Sequence, residues 1–158
     1  MHQSIIASLA ALTGLVAAQT PDGFAPSASA HLDVTFGSKA VSPAGASLTK
    51  SDLDVPSGIA RNTLLHAMIQ DFKVGSDGKT LASTATGPAS YMGPAPPKET
   101  PAHPHHYVQV LFVQPRGFTV PAAQAAVVRS RIGFKLVDFV AAAQLGAPVA
   151  GNYFTVTG

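Results

Sequence analysis

Residues 91–115 read YMGPAPPKETPAHPHHYVQVLFVQP, and this stretch decides the fold. A Gly/Pro-rich segment runs into His103, His105 and His106, and these run into the most strand-like part of the chain. Alternating spacing with Tyr, Val and Phe predicts a strand over Tyr107–Gln114. In an extended chain His105, Tyr107 and Gln109 point to one face, and His106, Val108 and Val110 to the other. Pro94, Pro96, Pro97, Pro101 and Pro104 keep the preceding segment stiff and non-helical. Two polar rings therefore project together beside a rigid loop, an arrangement suited to a small anion or polar head group.

Working outward, the composition fits that reading. The chain has 158 residues, of which 46% are hydrophobic and only 11% charged, with 14 Gly and 13 Pro. Length and apolar content support one core, and low charge with many turn formers favours a loop-rich β domain. The formal charge is +2 and no Lys/Arg cluster appears, which argues against nucleic-acid binding. There is no cysteine, so disulfides and thiolate metal sites are excluded. Beyond the N-terminus no segment is long and apolar enough to span a bilayer.

Residues 1–18 resemble a secretory signal peptide. The apolar run Ile5–Ala18 ends in the small-residue pattern Val16-Ala17-Ala18, and Gln19 is the expected first mature residue. The n-region offers only His2 as a basic group. The expectation is a secreted, extracellular, monomeric domain over residues 19–158.

His31–Phe36 alternates as a half-buried strand, with Lys39–Ser42 as a short return strand in a hairpin. Asp52 and Asp54 share a face if their segment is extended, although the plain local reading is a solvated loop. Leu64–Phe72 suits helix or strand, and the turn formers from Gly75 to Gly78 favour strand. Gly75–Ser90 reads as a loop. Pro121–Arg131 and Phe134–Leu145 read as helices, and Asn152–Val156 as a last strand. There are no convincing repeats.

Three chemistries compete for the polar residues. Metal binding is disfavoured, because His105 and His106 point to opposite faces and the histidine spacing does not match usual ligand patterns. No nucleophile elbow, phosphate loop or dinucleotide fingerprint appears. An anion pocket remains, with imidazoles, a tyrosine hydroxyl and loop amides as donors and a carboxylate to fix an imidazole. Its pieces are Asp52, Asp54, His66, His105, Tyr107 and the loop Tyr91–Pro97. His66 alone would be an ordinary hydrogen-bonded core histidine; beside His105 it would belong to the pocket.

Taken together, four segments resemble the phosphatidylethanolamine-binding protein family, especially its secreted fungal members. Asp52-Leu53-Asp54-Val55-Pro56-Ser57 resembles the family's acidic element. Leu65-His66-Ala67-Met68 resembles its Leu-His-Trp-Leu strand. Tyr91-Met92-Gly93-Pro94-Ala95-Pro96-Pro97 resembles its Tyr-x-Gly-Pro loop, and His105-His106-Tyr107 its His-Arg-Tyr strand. The tail from Arg131 to Phe134 and from Ala150 to Phe154 also fits. The resemblance implies a mostly β, Greek-key sandwich with a few short peripheral helices. It implies a ligand pocket of Asp52, Asp54, His66, Gly93, Pro94, Pro96, His105 and Tyr107, without catalytic residues, metal or cofactor. The implied partner is a phosphate-like anion or phospholipid head group. Two alternatives stand beside it: a serine protease inhibitor acting through a protein surface, and a structural domain with a degraded pocket. Proton transfer on a small molecule is a further option.

This chain departs from the family pattern in several places. His106 stands where Arg is usual, and Ala67 where Trp is common. The loop from Pro97 to His105 is about two residues longer than the common form. Upstream of Asp52 the chain lacks roughly two or three dozen residues, about one or two strands with their loops.

Overall fold

A computed structural model describes residues 5–9, 19–36, 39–48 and 63–158. Strands dominate, and the described helices are short. The spine is β10 (Ala150–Thr157), which pairs antiparallel with β9 (Pro104–Leu111) over eight positions, from Ala150↔Leu111 to Thr157↔Pro104. On its other edge β10 pairs in parallel with β4 (Ala46–Leu48). Tyr, Phe, Thr and Val suit β10 to a pleated, half-buried surface. Gly151 has a separate role: a Cβ there would lie 2.9 Å from the Ala28 methyl, so the lead-in segment packs directly on bare backbone.

The second sheet has the order β3-β2-β1-β7-β6. Its strands are β1 (Ile5–Leu9), β2 (Leu32–Phe36), β3 (Lys39–Ala40), β6 (Lys73–Val74) and β7 (Thr80–Ala82). Leu32, Val34 and Val41 pack against Ala150, Phe154 and Val156, so the two sheets share one core. Asn152 is fully buried between them. Its amide donates to the Leu32 carbonyl at 2.8 Å and the Val41 carbonyl at 3.1 Å, which satisfies groups no water reaches.

A third unit is smaller. The ribbon of β5 (Met68–Ile69) and β8 (Pro88–Ala89) lies near α1 (Ala125–Ser130) and α2 (Leu136–Ala142). Leu65, Ala89, Val128, Phe134 and Phe139 form its core.

The architecture is mostly β, as the sequence predicts, with boundary differences. The strand expected over Tyr107–Gln114 starts earlier and stops at Leu111, leaving Val113 70% exposed. It starts earlier because Pro104 still lies opposite Thr157 in the ladder. The strand expected over Leu64–Phe72 shortens to Met68–Ile69. Asp71 adopts a left-handed φ of 62° and ends it, held by Gln114, whose side chain accepts from the Asp71 amide at 2.7 Å. The expected loop Gly75–Ser90 contains β7 and β8. Asp77 organises the β6–β7 turn by accepting from the Lys79 and Thr80 amides at 2.9 and 2.8 Å and from the Thr80 hydroxyl, and the hydroxyl first, then the two amides, hold its carboxyl down to about 2. The first expected helix begins as a 3-10 turn at Ala122–Gln124 and ends at Arg131, whose φ is 69°. The second contracts to Leu136–Ala142.

The expected leader lies mostly outside the described residues, but its part from Ile5 to Leu9 is β1, the middle strand of its sheet. A strand in the folded chain does not decide whether the segment is cleaved in the cell. It decides what the sheet loses if cleavage occurs.

Candidate functional site

The site is built from two sides. Alternation along β9 places His105, Tyr107 and Gln109 opposite Val156, Phe154 and Asn152, all fully buried. The Tyr107 ring stacks on Phe154 with centroids 5.2 Å apart and planes 13° from parallel. His106 faces the other way and stacks on Tyr153 at 5.9 Å. The sequence expectation of an inward His105/Tyr107 pair with His106 turned away therefore matches the observed register.

The other side comes from the segment before β5 and the Gly/Pro loop. His66 meets Tyr107 edge to face, with centroids 5.0 Å apart. Its Nδ1–H donates to the Met92 carbonyl at 2.7 Å, since a carbonyl can only accept. Met92 returns the bond, its amide donating to the His66 carbonyl at 2.8 Å. Burial pushes the His66 imidazole below its ordinary value, against the pull of the Met92 and Gly93 backbone groups, and the nearby Arg131 charge adds to the depression. Pro94 and Pro96 are fully buried, and the Gly93 between Met92 and Pro94 is half-buried. Burial pushes the Tyr107 hydroxyl up to about 12, although the Ala95 backbone favours its ionised form. Tyr91, stacked on Phe36 at 5.8 Å, is also pushed up to about 12 by burial. Both phenols are therefore neutral donors at physiological pH.

Three buried polar atoms find no hydrogen-bond partner among the described residues: Tyr91 Oη, His105 Nε2 and Gln109 Oε1. The Glu99 carboxylate lies 3.6 Å from His105 Nε2, beyond hydrogen-bonding distance. The His105 ring also contacts that of His103, at 6.0 Å. Among the described residues no three His, Asp or Glu side chains converge as a metal site, and no helix is long and apolar enough to cross a membrane.

The structure thus brings His66 against Tyr107, sets the Gly93 backbone beside His66 and the Ala95 backbone beside Tyr107, and places His105 on the same strand face as Tyr107; Pro94 and Pro96 are buried on either side of Ala95. Asp52 and Asp54 lie outside the described residues. Sequence reasoning missed Glu99 and Arg131. Arg131 donates to the Ser90 carbonyl at 2.8 Å and the Ser90 hydroxyl at 3.1 Å, and reaches the His66 carbonyl at 3.5 Å, tying both sides of the loop to the end of α1. No local pattern marked it, because its partners lie 41 and 65 positions away. A shallow apolar groove of about 490 Å³ between Ala25-Pro26 and α2 includes none of these residues.

Comparison with known proteins bears on the family of the chain. Residues 20–154 match the family described as Phosphatidylethanolamine-binding protein. The chain is 32% identical to Phomoidride biosynthesis cluster protein N of Talaromyces stipitatus over 193 aligned positions, covering 96% of each protein. It is 43% identical over 74 residues to a protein of the same name from a fungal species, covering 44% of this chain and 32% of that one. With 96% of a 158-residue chain spread over 193 positions, about 40 positions of the Talaromyces alignment have no residue from this chain. No solved structure matches significantly.

Proposed function

Since the chain belongs to the phosphatidylethanolamine-binding protein family, we propose that it is a binding protein whose site takes a phosphate-like anion or a phospholipid head group. The observation that carries this reading is the edge-to-face meeting of His66 with Tyr107, centroids 5.0 Å apart, on a strand face where the buried His105 Nε2 finds no hydrogen-bond partner among the described residues. Buried polar groups are normally paired, and a bound ligand would supply the missing partners. Tyr107 and Tyr91 would donate as neutral phenols.

His66 adds a proton linkage. Its Nδ1–H is committed to Met92, so Nε2 is the nitrogen that titrates. Because burial favours the neutral ring, the free site carries little positive charge there. An arriving anion raises the imidazole's proton affinity, so binding takes up a proton and tightens as pH falls. Titration calorimetry with phosphoethanolamine and with inorganic phosphate, in two buffers of different ionisation heat, reads this directly. The expected result is proton uptake, tighter binding at pH 6 than at pH 7.5, and a roughly tenfold loss in Tyr107→Phe. Absence of heat for both ligands, with unmoved His66 and His105 ring signals in NMR, would sink the proposal.

A second reading has its own support. Two relatives are named as biosynthesis cluster proteins, and a neutral His66 is in the protonation state a general base needs. On this reading the same pocket performs proton transfer on a small molecule. Turnover of an acidic metabolite, lost in His66→Gln, separates it from binding alone.

A further inference from the structure

We propose that the gap between β2 and β7 is a strand-accepting groove whose occupant is the chain's own N-terminal segment, in a chain shorter than its Talaromyces relative. Three observations meet here. Ile5–Leu9 is paired along both edges: Ile5↔Phe36 through Leu9↔Leu32 on β2, and Ala7↔Leu81 and Ser8↔Thr80 on β7. The register sets Ile5, Ala7 and Leu9 opposite Phe36, Val34 and Leu32, which belong to or pack on the main core, and Ser8 opposite the half-exposed Asp33. The same register sets Ile6 opposite Thr35.

The second observation is that the family match begins at residue 20, so the middle strand of the sheet comes from outside the matched region. Third, the alignment with the Talaromyces protein leaves about 40 positions without a residue of this chain, room for one or two strands with their loops. Without β1, β2 and β7 would each present an open edge, the kind of surface that captures an extended segment. Residues 5–9 also belong to the run that reads as an export signal. Export with cleavage and completion of the sheet therefore compete for one segment, a conflict that does not depend on what the site binds.

The test uses the full chain with Ala7→Pro, which removes a ladder N–H in the middle of a doubly paired strand. The expected result is a fall in Tm of roughly 5–10 °C. Adding a synthetic peptide of residues 3–12, carrying a solubilising lysine tag, is expected to restore the Tm, while a scrambled peptide is not. In the unmutated chain, amides 6–9 are expected to exchange as slowly as those of Val34 and Leu81. An unchanged Tm in Ala7→Pro, unprotected amides over 6–9, or a lowered Tm that the matching peptide fails to raise would each overturn the proposal.

Discussion

His105 and His66 flank the site but are held by different physics. His105 is part of an eight-position ladder between β9 and β10, over a core strand whose inward side chains are fully buried. Its place depends on many backbone bonds and on the close packing of Phe154 and Val156. His66 sits outside a two-residue ribbon and is placed by individual polar bonds: its own to Met92, the return bond from Met92, and Arg131 bridging to Ser90. A ladder fails cooperatively, with the whole domain. A set of single bonds opens locally, at a lower free energy. The His66 half is therefore the half expected to open first.

The sharpest way to break this contrast is Phe154→Ala. Phe154 is 1% exposed, carries the Tyr107 stack, and meets Phe36 edge to face at 5.4 Å. Its loss should cost about 3–5 kcal/mol, the usual range for a buried phenylalanine. Urea unfolding would show it as an earlier midpoint with an unchanged slope, and slow amide exchange should collapse on both sides of the site together. If the His66 side kept its protection, the ladder would not be the global element.

Arg131→Ala probes the other half, with a smaller effect. It removes two bonds to Ser90 and the long contact to the His66 carbonyl, for about 1 kcal/mol, since the side chain is partly solvated. The expected signature is faster exchange of the Met92 amide, which donates to His66, with protection of Val108 and Tyr153 unchanged. Equal acceleration on both sides would erase the distinction between the halves.

The same contrast explains what could be read from the sequence. The ladder half was legible, because period-two alternation with Tyr, Val and Phe states both the strand and the inward face, so His105 and Tyr107 followed together. The mostly β class was legible from low charge and turn chemistry, and the non-helical course of the Gly/Pro segment from proline stiffness. The β6–β7 hairpin was not, because Lys73-Val74 and Thr80-Leu81-Ala82 are too short for a period; Asp77, which nucleates the turn, looked like any loop aspartate. Arg131 was placed at a helix end, but its bonds to Ser90 depend on tertiary approach. The N-terminal run was legible as apolar, and its sheet register could emerge only once β2 and β7 were in place. The acidic half expected at Asp52 and Asp54 falls outside the described residues.

A change of pH separates the halves without mutation. His66 has a folded value below its ordinary 6.5, so the folded state holds fewer protons than the unfolded chain just below that pH. Its contribution to stability is present above about 6.5 and is lost as pH falls from there through the folded value. The tyrosines act in the opposite direction: with Tyr91 and Tyr107 raised to about 12, stability is present below 10 and is lost as pH climbs from 10 to 12. Thermal scans should therefore show an acid shoulder that disappears in His66→Gln and an alkaline one that shrinks in Tyr107→Phe. An acid limb unchanged in His66→Gln would mean that the His66 side is already open to water.

The smallest effect on stability, and the most informative for binding, belongs to Glu99→Gln. Glu99 lies in the segment before β9, 3.6 Å from His105 Nε2, with side chains 18% and 24% exposed. This carboxylate is close enough to act electrostatically but too far to satisfy the nitrogen. On the proposed reading, an anion that reaches His105 meets this negative charge. Neutralising it should leave the unfolding midpoint nearly unchanged, since a partly solvated pair at this distance contributes only about 0–1 kcal/mol. Affinity for inorganic phosphate should rise by about two- to fivefold, while phosphoethanolamine, whose ammonium gains from a nearby carboxylate, should improve less or weaken. The ratio of the two affinities in Glu99→Gln against the unmutated chain is the quantity to measure. A ratio that does not move would place the anion away from His105 and leave the His66 side to hold it alone.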